Sequence, residues 1–284
     1  MEKAKPYQRE RQVIETLYRH GAMSNRGLKK VLYPPIKPRR IANVTHRLCE
    51  NGWLVKRFKS LPENAGNYYQ LSQKLKMSQH IRVIIGHKFN PKHEPNVHYR
   101  ELFHSEDCAV WTTELERLFP DAQVLREWEI VRDQKAMHAL LLDYENLHTI
   151  PDLILTFKGL KDRDSVNIAL EVERSRKSNK RTLKKLKSYS TGTGLDGVIY
   201  LVTSDNLAGI IKRLYWELDH DKNCRVGHYR KNFLMFIVYD KNVDSENLIL
   251  LNSELKPVSL SKWITYLRSK SRNTRRDFEM SDLT

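Results

Sequence analysis

Asp152, Glu171 and Glu173 are the residues whose types and spacing point to chemistry. Asp152 heads an apolar run, Leu153-Ile154-Leu155, and a charged turn from Lys158 to Ser165 follows it. A second apolar run, Val166 to Leu170, then delivers Glu171 and Glu173. Both runs read as buried strands, and the turn between them makes a hairpin. Alternate residues of a strand share a face, so Glu171 and Glu173 point the same way. Two carboxylates at the end of an apolar strand are costly unless something neutralises them. Hard oxygen donors favour Mg2+ or Mn2+, and Asp152 across the hairpin would complete the ligand set. A basic stretch, Arg174 to Lys187, follows with no acidic residue in it and reads as a helix. An acidic metal cage beside a basic helix suits the cutting of a phosphodiester.

Other elements must hold that hairpin in place. Residues 105–118 read as a helix, with Ser105 as cap, Val110, Trp111, Leu115 and Leu118 inward, and Phe119-Pro120 as stop. Val124 to Val131 reads as a strand with Glu127 and Glu129 on one face, from which one of the two can approach the metal. Asp196 to Thr203 and Phe233 to Tyr239 read as further strands, with a helix from Asn206 to Leu218 between them. Leu248 to Leu251 reads as a last, edge strand. This alternation predicts an α/β (α+β) domain over 105–255. A basic helix or tail follows over 256–284, where Trp263, Tyr266 and Leu267 anchor one turn and Arg268 to Arg276 stay mobile.

The N-terminal part has a different pattern. Val13, Ile14, Leu17 and Tyr18 recur at helical spacing, and His20-Gly21 ends that helix. Ser24 caps a second helix carrying Leu28, Val31 and Leu32, which Tyr33-Pro34-Pro35 breaks. A third helix runs from about Pro38 to Asn51 with Ile41, Val44 and Leu48 inward. Trp53 to Arg57 and Asn67 to Leu71 then form a hairpin. Three helices and a two-stranded wing make a winged helix-turn-helix over 1–75, whose third helix enters the major groove of double-stranded DNA. Lys37, Arg39, Arg40, Asn43, His46 and Arg47 are the candidate DNA contacts on it, with Lys56 and Arg57 on the wing. Arginine suits guanine edges, asparagine adenine, and lysine phosphate.

Charge supports a polyanion partner. The 284 residues carry a net charge of +16. Residues 1–77 hold 17 Lys and Arg against 5 Asp and Glu, whereas residues 78–255 balance at 26 of each. The excess therefore sits on the N-terminal module and the C-terminal tail, as expected of a nucleic-acid binder. The three cysteines, Cys49, Cys108 and Cys224, lack metal spacing and fit free thiols in a reducing cytoplasm. No signal peptide and no run of membrane length is evident, so an intracellular, cytoplasmic protein is expected. His80, His87, His93, His98 and His104, in or beside a linker over 76–104, match no zinc template.

The motifs resemble the PD-(D/E)xK nuclease superfamily, which has the restriction-endonuclease-like fold with a mixed central sheet. Pro151-Asp152 matches its first motif. Glu171-Val172-Glu173 matches the second, with Glu173 where the usual lysine stands. Some members carry E-x-E, and others move the lysine onto the following helix. The chain is also similar to the replication-relaxation family of winged-helix plasmid proteins. There the strand reads E-V-(D/E)-R, here Glu171 to Arg174, and the helix K-L-x-x-Y, here Lys185, Leu186 and Tyr189. His104 and Glu127-Trp128-Glu129-Ile130 fit the same group, and plasmid relaxases of the MobC type share the layout. The likeness spans roughly residues 8 to 205.

That resemblance implies that the helix after Glu173 supplies the catalytic lysine. At about 100° per residue Leu183, Leu186 and Tyr189 form its buried stripe, and Lys184 lies nearly opposite. Lys185 and Lys187 flank the stripe. The family pattern selects Lys185, to polarise the scissile phosphate or the attacking water. The implied catalytic set is Asp152, Glu171, Glu173, Lys185 and Glu127.

Two functions follow, with a third behind them. One is a Mg2+- or Mn2+-dependent DNA endonuclease or nickase, relaxase-like, acting on plasmid or mobile-element DNA, with other mobilisation or replication proteins as partners. The other is a non-catalytic DNA-binding regulator on a degenerate nuclease fold. An RNA-processing nuclease is the third. Tyrosine-based covalent nicking is not supported, because no His-x-His occurs.

Overall fold

The computed structural model describes residues 7–32, 38–57, 67–86, 102–132, 150–160, 165–191, 194–219, 233–239, 249–252 and 256–269. The chain divides into two compact units, Met1–Thr113 and Glu114–Thr284.

The first unit begins with α1 (Gln8–His20), which buries Val13, Ile14 and Leu17 at helical spacing. Its first turn is fixed by Glu10, whose Oε2 accepts the Tyr7 N–H at 2.8 Å. A two-residue strand β1 (Met23–Ser24) leads into α2 (Asn25–Val31). Ser24 caps α2, its Oγ accepting the Gly27 N–H at 3.0 Å. Then come α3 (Pro38–Glu50), β2 (Leu54–Arg57) and β3 (Tyr68–Leu71). Gly52 turns the chain out of α3 at a φ of 72°, a left-handed value that glycine adopts without strain. β3 pairs antiparallel with β2 on one side and β1 on the other.

The 76–104 stretch is not all linker. It contains most of α4 (Leu75–Ile85) and the first turn of α5 (Leu102–Leu118), and Met77, Ile81 and Ala109 join the core of α1, α2 and α3. The apolar residues of 75–85 recur every three or four positions, and that face is what the core takes up. Ser105 lies inside α5 rather than capping it, and its Oγ donates to the His20 carbonyl at 3.4 Å. The unit boundary falls within α5.

The second unit is α/β. β4 (Gln123–Arg126), α6 (Glu127–Arg132), β5 (Leu153–Phe157) and β6 (Val166–Glu173) come first. α7 (Asn179–Thr191), β7 (Gly197–Val202), α8 (Asp205–Asp219) and β8 (Leu234–Val238) follow. β9 (Ile249–Asn252), β10 (Pro257–Ser259) and α9 (Leu260–Ser269) end it. The seven strands form one mixed sheet in the order β10-β9-β8-β7-β6-β5-β4. β6, β7 and β8 are parallel, and the other pairings antiparallel. The parallel pairs need crossovers, and these carry α7 and α8. Both helices pack on the face bearing Ile154, Ala169, Val198 and Tyr200. The other face meets α9: a side-chain carbon on Gly197 would come within 2.7 Å of the Trp263 ring, so only glycine fits there.

Four readings need correction. The expected strand 124–131 stops at Arg126, because the Glu129 carboxylate accepts the Arg126 N–H at 2.9 Å and starts a helix. Glu127 and Glu129 are therefore first-turn helical residues, not strand neighbours on one face. The basic helix starts at Asn179 rather than Arg174. β9 is not the edge, since β10 pairs outside it. That outer strand opens on Pro257, which has no N–H to offer and is suited to an edge. Lastly, α9 gives the tail a fixed start: Trp263, Ile264 and Leu267 are buried, and Arg268 Nη1 lies 2.7 Å from Asp121 Oδ2. Among the described residues no helix is long and apolar enough to cross a membrane.

Candidate functional site

β5 and β6 pair with Leu153 opposite Leu170. One residue further, Asp152 reaches the Glu171-Val172-Glu173 end of β6, and its Oδ2 accepts the Val172 N–H at 2.8 Å. β7 runs parallel on the other side and sets Tyr200 beside Glu171 and Val202 beside Glu173. Strand alternation then turns Ala169, Glu171 and Glu173 toward the face that α7 covers.

Glu171 is only 1% exposed. A carboxylate so placed is costly unless paired and hydrogen-bonded. α7 answers both needs. Lys185 Nζ lies 2.5 Å from Glu171 Oε2, and the Tyr189 hydroxyl donates to Oε1. The two residues stand one helical turn apart, so one face of α7 delivers both. Lys184 is exposed, as its opposite angular position requires. Burial pushes the Glu171 carboxyl up to about 7, although the Lys185 charge pulls it down; the Asp152 charge adds to the rise. Burial would lower the Lys185 ammonium, but the carboxylates of Glu171, Asp152 and Glu127 outweigh it and leave it raised. Near neutrality Lys185 therefore stays charged, and Glu171 is the partner that exchanges a proton. Burial and the Glu171 charge raise the Tyr189 phenol well above its ordinary range, so it remains a donor. Tyr200 is raised in the same direction by burial first, then by Glu171.

Glu173 has its own lysine. Its Oε2 lies 2.9 Å from Lys177 Nζ, in the segment between β6 and α7. Glu127 opens α6 and is exposed, and its backbone N–H donates to the Asp152 carbonyl at 3.0 Å. The Glu127 charge reaches Lys185, so it borders the site from helical rather than strand geometry. His104 lies in the first turn of α5, its Nε2 3.6 Å from Cys108 Sγ.

Compared with protein-family models, with curated proteins and with solved structures, the chain matches none of them. Its own geometry must carry the reading.

Asp152 and Glu171 are adjacent hard-oxygen donors, the chemistry that Mg2+ or Mn2+ selects. Asp152 and Glu171 would hold such an ion, which would share Glu171 with Lys185 and Tyr189 as it would share Glu173 with Lys177. Lys185 brings Glu171 the positive charge that a cation would also bring.

The proposed DNA contacts sort differently. On α3 Arg39, Arg40, Asn43, His46 and Arg47 are all exposed. His46 pairs with Glu50 at 3.4 Å, and Arg47 Nε lies 2.5 Å from the buried Glu10. Lys56 is exposed on β2, where Arg57 holds the adjacent strand position. Lys37 lies outside the described residues, as do His87, His93, His98 and Cys224.

Sequence reasoning misses two partners. It places Tyr189 in the buried stripe and in the K-L-x-x-Y pattern with no polar role, yet the hydroxyl donates to Glu171; the i+4 spacing from Lys185 is the signal. Lys177 has no signal beyond its distance in sequence from Glu173, because no helix joins them.

Proposed function

We propose that the second unit is a metal-dependent DNA endonuclease or nickase of the PD-(D/E)xK type, and that the first is a winged helix that brings it to double-stranded DNA. The observation that carries this reading is Lys185 on Glu171 Oε2, beside Asp152 at one end of the sheet. Three antiparallel strands, a basic crossover helix and a parallel strand arrive in the order that the motif resemblance implies. The lysine missing from position 173 has a counterpart on α7, at the position that resemblance selects. The plasmid or mobile-element setting comes from the replication-relaxation motifs.

Asp152 and Glu171 would hold Mg2+ or Mn2+, which makes a nearby water a better nucleophile and offsets charge on the phosphate. Lys185 presents a fixed positive charge to the same phosphate, useful chiefly as negative charge builds there. Tyr189 keeps the Glu171 carboxylate oriented through Oε1, and Glu127 adds a carboxylate at the rim. The exposed Arg39, Asn43 and His46 of α3 supply contacts to base edges and phosphates.

One observation favours a non-catalytic regulator instead. Both oxygens of Glu171 are already satisfied, and Lys185 and Lys177 neutralise two of the three carboxylates without a metal. Strand cutting separates the two readings. Supercoiled DNA carrying the gene of this chain and its flanks is incubated with the protein and Mg2+ or Mn2+. The nuclease reading expects open-circular or linear product that disappears with chelator. Uncut DNA in both metals, with binding intact, would leave the regulator.

A further inference from the structure

A cleft of about 510 Å³ opens in the first unit, lined by Tyr7, Arg9, Arg40, Asn43, Val44 and Arg47 among others. That size falls within the roughly 300–1,000 Å³ of sites that take small molecules or parts of them. Tyr7 is 70% exposed, the one large aromatic ring offered to solvent there. The ring is not loose. The Arg47 guanidinium stacks on it at 5.3 Å from the centroid, and Glu10 holds Arg47 from beneath. The same Glu10 accepts the Tyr7 N–H through its other oxygen. One buried carboxylate thus fixes both members of an Arg–Tyr stack.

Helical angles separate this cleft from the rest of α3. Arg39, Asn43 and His46 lie within about 60° of one another, whereas Arg40 and Arg47 sit roughly 80–100° round from Arg39. α3 therefore offers two polar faces that meet at Asn43. Arg40 and Asn43 have no hydrogen-bond or ionic partner among the described residues. Guanidinium groups alone would suit a backbone phosphate. A pre-set aromatic face beside them suits a flat ring as well, and nucleobases stack on such faces whatever their sequence.

We propose that this cleft receives an unpaired nucleobase of a DNA strand, stacked on Tyr7, with Arg40 and Arg9 on the adjoining phosphate and Asn43 at the base edge. This rests on the reading of the first unit as a DNA-binding module. Bases inside a duplex stack cannot reach the ring, so the occupant comes from a bulge, a frayed end or a single strand. A protein that opens or nicks DNA meets such bases beside its duplex contacts.

The test compares the full-length parent with Tyr7→Ala and Tyr7→Phe in fluorescence polarisation. The two probes are a paired duplex and the same duplex with one extra unpaired thymine. The parent is expected to favour the bulged probe by about tenfold, within the range that one base–aromatic stack supplies. Tyr7→Ala loses that factor, Tyr7→Phe keeps it, and all three bind the paired duplex within about twofold. Arg40→Ala weakens both probes and flattens their salt dependence, whereas Tyr7→Ala leaves that slope unchanged. A bulge preference that survives in Tyr7→Ala, or is absent in the parent, overturns the cleft and leaves the duplex reading standing. Failure of the parent to bind either probe overturns both.

Discussion

Charge does opposite work in the two units. On α3 most of it is exposed: Arg39 and Arg40 stand in solvent, His46 pairs with its neighbour Glu50, and only Arg47 reaches a buried partner, Glu10. At the end of β6 it is buried: Glu171 is enclosed and each of its oxygens is met by a partner from α7. Exposed ions cost little, contribute little to stability and can be exchanged one for another. Buried ions tolerate no exchange, because removing one partner leaves the other uncompensated. The first kind of surface suits a polyanion whose phosphates repeat, and the second suits chemistry at a single atom.

The sharpest break is Glu171→Gln. On the nuclease reading it slows strand cutting by about 10² to 10⁴, because it removes a metal donor. Duplex affinity, carried by the other unit, should stay within about twofold in a gel-shift titration. Lys185→Ala comes next. It should slow cutting by about 10² and cost on the order of 3 kcal/mol of stability at pH 8, as expected when one member of a buried pair is removed. Lys184→Ala, on the exposed side of the same helix, should change stability by less than about 0.5 kcal/mol and cut normally. If Lys184→Ala and Lys185→Ala unfold alike in urea, the buried pair is not what distinguishes this helix.

The pH dependence sharpens the same contrast. Glu171 titrates near 7 when folded against an ordinary 4.5, so the folded state holds its proton more tightly. Its contribution is fully present below about pH 4.5 and is lost as pH rises toward 7. At about 1.4 kcal/mol per unit this amounts to roughly 3 kcal/mol. Urea melts of the chelated parent should therefore show lower stability at pH 8 than at pH 5, and Glu171→Gln should flatten the difference. In Lys185→Ala the fall should extend to higher pH, because the charge that lowers Glu171 is gone. A parent whose stability rises from pH 5 to 8, parallel to Glu171→Gln, would contradict this.

The smallest effects belong to the exposed helix. Arg39→Ala with Arg40→Ala should weaken duplex binding and reduce the slope of log affinity on log salt by about two, near 0.9 for each phosphate no longer neutralised. Stability should hold, since neither residue has a partner to abandon among the described residues. An unchanged slope would remove α3 from the DNA-binding surface.

How legible these features are depends on whether local pattern or tertiary contact decides them. The β5–β6 hairpin is readable because two apolar runs flank a charged turn. The angular period of a helix sets Lys185 and Lys187 alike beside the stripe of Leu186 and Tyr189, and the resemblance to the K-L-x-x-Y pattern is what singles out Lys185. The alternation from Arg126 to Ile130 mimics a strand. One contact, Glu129 to the Arg126 N–H, makes it a helix instead. α4 precedes a run holding four more histidines and two prolines before Ser105, which obscures the helical spacing of Met77, Ile81 and Ile84 that the core of α1 and α3 takes up. β10 has three residues, too few for any period to show. The Lys177–Glu173 pair depends on the path of a segment with no regular structure.

We propose that Glu171, held by Lys185 beside Asp152, is the working carboxylate of a metal-dependent phosphodiesterase. Its most direct test is the rate of nicking of supercoiled DNA carrying this gene and its flanks, in Mn2+, by the parent and by Glu171→Gln at matched duplex occupancy. Nicked circles from the parent, formed at least about a hundredfold more slowly by Glu171→Gln, are the predicted result. Equal nicking by both proteins, or none by the parent while it is bound to DNA, would rule out that role for Glu171.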